Sequence, residues 1–140
     1  MKSLLGKLGV LFIGLLIIGN AEVWGADWKY YDSTENFLAY YDAQNITRPS
    51  KNIVRVWVKW DYTEKGVMIL VGKLGEKFYN LNNSINLIEI NCLEKKFRNP
   101  SVIFHDNKGG VIYDLNDPSS EWNIFIPEVI SESLYKEVCK

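Results

Sequence analysis

The clearest pattern in the chain is the alternation of apolar and polar residues from Ile53 to Tyr62. Alternation with a period of two predicts a β-strand that buries one of its faces. The other face is mixed and includes Arg55, Trp57 and Lys59. The apolar side chains share one parity: Val54, Val56, Val58, Trp60 and Tyr62. We therefore expect one side of this strand to lie in the core and the other to present aromatic and basic groups.

Segments on either side of this strand predict further strands. Aromatic-rich runs at 28–32 and 37–42 are separated by polar residues, and this order predicts a hairpin. Residues 84–93 also alternate, and Cys92 shares its parity with the apolar Ile88 and Ile90. We therefore expect Cys92 to face the core.

A second hairpin is predicted from residues 96–106, a turn at 107–110 and an apolar segment at 111–113, with a loop at 116–120. Pro100 has no backbone N–H to donate to a strand ladder. Its position inside the first of these segments therefore predicts either an edge strand or a β-bulge.

Two segments have helical rather than strand spacing. Between residues 63 and 81 the apolar residues recur every three or four positions, although the run 67–71 is also compatible with a buried strand. We favour a short helix there. After Pro127, residues Ile130, Leu134 and Val138 fall four apart, with Cys139 beside that stripe. This spacing predicts an amphipathic C-terminal helix.

The N-terminus has the order of a secretory signal, which we assign to residues 1–25. Lys2 and Lys7 precede an apolar run at 8–19, and small residues follow at Gly25 and Ala26. The run is shorter than the roughly 20 residues that a membrane-spanning helix needs. We expect cleavage after Gly25, which leaves one domain at 26–140 and no permanent membrane span in the mature form.

Export changes the interpretation of the two cysteines, Cys92 and Cys139. In an oxidising compartment an even number of cysteines usually means a disulfide rather than a metal site. The alternative is two free buried thiols, which a thiol reagent would detect after denaturation. A bridge would fasten the C-terminal helix to the sheet. The fold class that these elements predict is α+β, with a twisted antiparallel sheet of about six strands and a C-terminal helix tethered to one face.

The chain also resembles the bacterial surface-adhesin protein E family. The resemblance rests on the aromatic N-terminal strands, the segments at 56–62, 89–92 and 94–98, Glu121-Trp122, and the helix that ends at Cys139-Lys140. It implies a sheet of about six strands with a helix fastened by a disulfide, here between Cys92 and Cys139. It also implies dimerisation and adhesion, since its best-known member is a lipid-anchored adhesin that binds vitronectin, laminin and plasminogen. No cysteine near the expected cleavage site offers a lipid acceptor, so we expect a periplasmic protein, with a cell-surface or extracellular location as the alternative.

Catalytic signatures are weak in this sequence. His105 is the single histidine, and Ser101 shares its parity four residues earlier. Acidic and amide side chains crowd the loops after Asp106 and Asn116, but turn chemistry explains them better than a calcium site does. We expect no catalytic residues, no metal and no other cofactor. A periplasmic enzyme or enzyme-assisting protein that uses Ser101 and His105, and a structural subunit of an envelope assembly, are the alternatives.

The better candidate for function is a binding surface. The chain carries a formal net charge of −1, so nothing indicates general affinity for nucleic acids. Tryptophan and arginine contribute strongly to protein interfaces, which favours a protein or an anionic polymer as the partner and allows a homodimer. The alternative is that a neighbouring element or a dimer mate partly covers this strand face, and that the long cationic side chains only lie over it. Two basic groups form the candidate surface: Arg55, Trp57 and Lys59 in the first, and Lys95, Lys96 and Arg98 in the second.

Overall fold

The computed structural model describes residues 26–125 and 130–140. The predicted signal peptide at residues 1–25 lies outside this part. The described residues form one antiparallel sheet and two α-helices, α1 (Glu64–Leu74) and α2 (Ile130–Val138), with a 3₁₀ turn at Glu76–Phe78. The strands are β1 (Trp28–Ser33), β2 (Phe37–Asp42), β3 (Thr47–Ser50), β4 (Ile53–Tyr62), β5 (Leu81–Asn91), β6 (Lys96–Asp106), β7 (Val111–Asn116) and β8 (Asn123–Ile124).

The main path of the sheet runs β1-β2-β4-β5-β6-β7, and every pairing is antiparallel. β3 pairs with the start of β4, and the short β8 pairs with the start of β6. This confirms the predicted α+β class with a sheet of about six strands and a C-terminal helix. Strands β3 and β8 were not predicted, because both are short and their sequences, TRPS and NI, show no alternation of apolar and polar residues.

The core lies between α2 and the apolar side of β4 and β5. Val54, Val56 and Val58 are fully buried, and opposite α2 they meet Leu134 and Val138, which are 2 % and 4 % exposed. The register pairs Val54 with Ile90 and Val56 with Ile88. The apolar side chains of the two strands therefore lie on the same face of the sheet. Burying a residue of this kind stabilises the fold by about 1.5–3 kcal/mol.

A disulfide joins Cys92, just after β5, to Cys139, just after α2, with a Cα–Cα distance of 5.7 Å. The hydroxyl of Tyr135 also donates a hydrogen bond to the carbonyl oxygen of Cys92, at 3.2 Å. The covalent and the polar contact both fasten α2 to the end of the sheet. The predicted disulfide and its place at the core are confirmed.

The ambiguous segment at 63–81 contains a helix, as favoured. The hydroxyl of Thr63 accepts a hydrogen bond from Gly66 N at 3.1 Å and so caps the start of α1. The helix ends before Gly75, whose φ of 110° few other residues tolerate. The helical spacing of apolar residues in the sequence nevertheless extends beyond the helix itself. Phe78 belongs to the 3₁₀ turn, and Leu81 already begins β5.

Pro100 lies at a β-bulge inside the sheet. Leu87 pairs with Ser101 and Glu89 pairs with Arg98, so two residues of β6, Asn99 and Pro100, stand opposite Ile88 alone. Of the two predicted placements, the bulge is therefore the observed one. β6 is not an edge strand, since β7 pairs along its other side from Ser101 onward. β7 also extends to Asn116, three residues beyond the predicted segment.

Candidate binding surface on the open face of the sheet

The face of the sheet that α2 does not cover carries those β4 side chains that point away from the core and include both aromatic and basic groups. We call it the open face and define it by Arg55, Trp57 and Lys59 of β4 with Ile85, Leu87 and Glu89 of β5, which are their register partners. Antiparallel sheets commonly leave one face to solvent. Trp57 and its neighbours Arg55 and Lys59 are half-buried rather than enclosed. The aromatic and basic side chains predicted for this side of β4 therefore remain accessible.

Lys59 lies among aromatic rings of the first hairpin. Its Nζ is 5.2 Å from the ring centre of Trp28 and 5.3 Å from that of Tyr40. The ring of Tyr30 packs edge-on against Tyr40, at 6.0 Å between ring centres. Cation–π contacts of this length contribute about 0.5–1 kcal/mol at exposed sites. The open face therefore continues from β4 onto β1 and β2 as an aromatic surface with one ammonium group in it.

Arg55 and Arg98 meet at the carboxylate of Glu89. The Nε of Arg55 donates to Glu89 Oε2 at 2.7 Å, and the Nε of Arg98 donates to Oε1 at 2.8 Å. A second nitrogen of each guanidinium contacts the same oxygen, at 2.7 Å for Arg55 and 2.8 Å for Arg98. The Glu89 side chain is only 6 % exposed. The structure thus brings together one member of each predicted basic group. The carboxylate of Glu89 neutralises one of the two positive charges that Arg55 and Arg98 carry.

Burial and hydrogen bonding act on Glu89 in opposite directions. Burial acts to raise the pKa of this carboxyl, because it disfavours the charged form. The hydrogen bonds and positive charges of Arg55 and Arg98 outweigh that effect and hold the pKa below its ordinary value of 4.5. Glu89 is therefore ionised at neutral pH, and the pair of arginines around it is a structural feature as well as part of the surface.

Arg98 also organises the loop after β7. Its guanidinium donates to the carbonyl oxygens of Pro118 and Ser120, at 3.3 and 3.4 Å, and stacks 4.9 Å from the ring centre of Trp122. Arg98 is therefore engaged by a carboxylate, two carbonyls and an indole. A guanidinium held this way has little freedom to reach a partner.

Lys95 and Lys96 do not join this arrangement. Lys95 lies in the turn between β5 and β6, and its Nζ is 5.6 Å from the ring centre of Tyr135 on α2. Lys96 pairs with Glu94 at 3.8 Å, and both side chains are exposed. The six predicted binding residues thus divide into the open face, an arginine pair around Glu89, and two lysines near the β5–β6 turn.

Ser101 and His105 are not placed as a nucleophile and its base. They lie four residues apart in β6, a separation of about 13 Å at the usual rise of a strand. The Nδ1 of His105 is instead 3.2 Å from Oδ1 of Asn83, its register partner in β5. A base must lie within hydrogen-bond reach of the proton it removes, so these two side chains do not form a catalytic pair in this geometry.

The acidic loops are explained by turn chemistry where the structure describes them. Oδ1 of Asp106 accepts hydrogen bonds from the backbone N–H groups of Lys108 and Gly110, at 2.9 and 2.8 Å. Oδ1 of Asp117 accepts from the backbone and the hydroxyl of Ser119. Over residues 26–125 and 130–140, no group of three or more histidine, cysteine or acidic side chains is arranged to hold a metal ion.

A groove of about 510 Å³ opens at the end of the open face. Trp28, Trp57 and Ile85 supply apolar surface, and Asn83, His105 and Asp106 supply polar groups. Its volume falls within the range of about 300–1,000 Å³ that is typical of ligand sites. Sequence reasoning found Trp57 but missed the groove, because Trp28, Asn83 and His105 come together only through the pairing of β1, β2, β4, β5 and β6.

The family model of surface-adhesin protein E matches residues 28–140, which is most of the chain and all of the described sheet. No curated protein and no solved structure matches the chain significantly. In the part of the chain that the structure describes, no helix has the length and apolar character that crossing a bilayer requires. The cysteine bridge, the antiparallel sheet and the family match agree with one another, and we conclude that the chain belongs to the surface-adhesin protein E family.

Proposed function

We propose that this protein is an exported, noncatalytic binding module and that its contact surface is the open face around Trp57. Family membership implies an adhesion-type protein that is exported or surface-located. The observation that carries the proposal is the position of Trp57, half-buried on the face opposite α2 and close to the cluster of Lys59, Trp28 and Tyr40. An accessible indole next to cations is the composition that interface hot spots favour.

The arginine pair limits which residues serve as the contact. Arg55 holds the buried Glu89, so its replacement would leave a carboxylate with only one of its two ion pairs. Arg98 is engaged in the same way and also by the loop after β7. Trp57 and Lys59 are the residues whose loss removes surface without removing a buried charge pair. We therefore assign the main contact to these two side chains.

The test is binding of the purified protein to immobilised vitronectin, laminin and heparin, measured by surface plasmon resonance. We expect the Trp57→Ala and Lys59→Ala variants to bind at least one of these with a dissociation constant raised about tenfold or more, as is common for hot-spot truncations. Tyr79→Ala is the matched control, because Tyr79 is an aromatic residue that is 66 % exposed and lies outside the open face.

Unchanged binding by Trp57→Ala would contradict the assignment of this surface. Thermal melting separates a second case. If Trp57→Ala lowers the melting temperature by as much as a core truncation does, the indole serves packing and not recognition. Fractionation of intact cells, with an antibody against the protein, then distinguishes the periplasmic location that we propose from display at the surface.

We also propose that the exposed edge strand β7 allows a homodimer. Val111, Tyr113 and Leu115 on this strand are 60 %, 42 % and 50 % exposed. An edge with unpaired backbone groups and apolar side chains is a template for pairing with another chain. Light scattering coupled to size-exclusion chromatography tests this, and we expect the Tyr113→Lys variant to shift the protein toward the monomer.

A further inference from the structure

The lining of the groove at the end of the open face has an apolar part and a polar part. Trp28, Trp57 and Ile85 supply the apolar part. Asn83 of β5 and His105 of β6 belong to the polar part. β1 and β6 are four strand spacings apart in the sheet order, so the groove extends across as much as about 19 Å of sheet. This is longer than a single sugar ring and suits an extended ligand.

The polar part of the lining offers hydrogen-bonding atoms that the protein itself leaves unused. Because Nδ1 of His105 contacts Oδ1 of Asn83, Nε2 of His105 and Nδ2 of Asn83 remain outside this contact. Within the described residues neither atom bonds to another protein group. Asp106 uses Oδ1 for the backbone of its turn, and its Oδ2 accepts no hydrogen bond from that same set. The lining therefore offers both hydrogen-bond donors and acceptors.

The charges in the lining disfavour an anionic ligand inside the groove. Hydrogen bonds from the backbone N–H groups of Lys108 and Gly110 lower the pKa of Asp106, so this carboxylate is ionised at neutral pH. Asp42, a second acidic residue of the lining, is 4 % exposed and accepts from the backbone of Asp27 and Gln44. Lys59 is the cation next to Trp28, and it lies against the aromatic rings.

A pyranose ring has one chemistry on its faces and another on its edge. Its C–H groups form apolar patches that pack on an indole. Its hydroxyls each donate and accept, so they match a set of amide, imidazole and carboxylate groups that together supply donors and acceptors. The lining of the groove offers both of these chemistries. An aliphatic ligand would leave its polar groups unpaired, which costs free energy.

We propose that this groove binds a neutral sugar chain, with a ring stacked on Trp57 and hydroxyl groups bound by Asn83, His105 and Asp106. The inference rests on the proposed function, because it assigns a ligand class to part of the same open face. A partner glycoprotein would then be recognised through its carbohydrate, and the aromatic surface of β1 and β2 would contact what lies next to the sugar.

The experiment applies the purified protein to an array of neutral oligosaccharides, sialylated oligosaccharides and heparin fragments. Titration with the best neutral oligosaccharide follows, monitored by tryptophan fluorescence. We expect binding to neutral oligosaccharides, a loss of about tenfold or more in affinity for Trp57→Ala and for Asn83→Ala, and a smaller loss for Trp57→Phe, which keeps an aromatic face. Tyr79→Ala is again the control, and circular dichroism verifies that each variant is folded.

Three results would overturn the inference. Binding confined to heparin or sialylated oligosaccharides, with Asn83→Ala unaffected, would exclude a neutral sugar site while the open face remains the contact surface. A second such result is that proteins still bind to the open face after their glycans are removed, while no oligosaccharide binds. This would also exclude a neutral sugar site and leave the open face as the contact surface. If no oligosaccharide binds and Trp57→Ala leaves all other binding unchanged, the sugar site and the proposed function both fail. The readouts thus separate the failure of one from the failure of the other.

Discussion

The guanidinium of Arg98 contacts one oxygen of the buried Glu89 carboxylate at 2.8 Å. Arg98 lies on β6, and Arg55 of β4 contacts the other oxygen, so one carboxylate of the middle strand joins three neighbouring strands. The bulge at Asn99 and Pro100 lies next to this contact and sets the register that makes Arg98 the partner of Glu89. The arrangement explains why basic residues that are far apart in the sequence form one group in the fold.

Removing the charge of Glu89 should therefore destabilise the protein. In Glu89→Gln the two guanidiniums lose their common partner while their surroundings stay the same, and breaking such a pair is costly. Because Arg55 is still 43 % exposed, water replaces part of the interaction, and we expect a loss of about 2 kcal/mol in the free energy of unfolding. Urea denaturation measures it. The control Glu94→Gln removes an exposed pair and should cost less than about 0.5 kcal/mol; equal effects of both variants would contradict this role for Glu89.

The same contact predicts a pH dependence with a definite sign. The pKa of Glu89 is lower in the folded protein than its ordinary value of 4.5, so the folded state favours the ionised form. The stabilisation is therefore present above pH 4.5 and is lost as the pH falls through the lower, folded-state value. We expect the difference in unfolding free energy between wild type and Glu89→Gln to shrink in that acidic range. A difference that stays constant or grows on acidification would show that the pair is not the cause.

The disulfide between Cys92 and Cys139 should supply a large part of the stability. The cysteines are 47 residues apart, and closing a loop of that size corresponds to about 4 kcal/mol in the chain-entropy description. We expect Cys92→Ala/Cys139→Ala to unfold at a markedly lower urea concentration than wild type, and reductant to lower only the wild-type midpoint. A thiol reagent should find no free thiol in the denatured, unreduced protein. Uptake of reagent, or an unshifted midpoint on reduction, would disagree with a bridge of this importance.

Two glycines of α1 offer a matched test of close packing. A Cβ atom on Gly66 would lie 2.1 Å from the carbonyl oxygen of Asn36, whereas one on Gly72 meets nothing within 4 Å. Gly66→Ala should therefore cost about 1–3 kcal/mol or more, since backbone must move to relieve the overlap. Gly72→Ala should stabilise the helix by about 0.5–1 kcal/mol. Thermal melting of both variants decides the matter, and a stabilising Gly66→Ala would mean that the helix does not approach Asn36 this closely.

The limits of sequence reasoning are clearest at the binding surface. The alternation in β4 places Trp57 and Lys59 on the face away from the core, and that prediction needs only the period of two. It does not reveal that Arg55 is occupied by Glu89, because this depends on the register between β4 and β5. Closeness in the sequence groups Arg98 with Lys95 and Lys96. In the fold Arg98 joins Arg55, since the turn after β5 directs Lys95 toward Tyr135.

The features that could be inferred without coordinates are local or covalent. The alternation of β4 and β5, the four-residue spacing of Ile130, Leu134 and Val138, and the pair of cysteines were enough to predict a sheet, a closing helix and the bridge between them. Which side chains of distant strands become neighbours depends on how the strands pair in the folded sheet. Strand register depends on hydrogen bonds, bulges and packing along the whole sheet, so the contact of Arg98 with Glu89, and the groove that Trp28 and His105 share, exist only once the sheet is assembled.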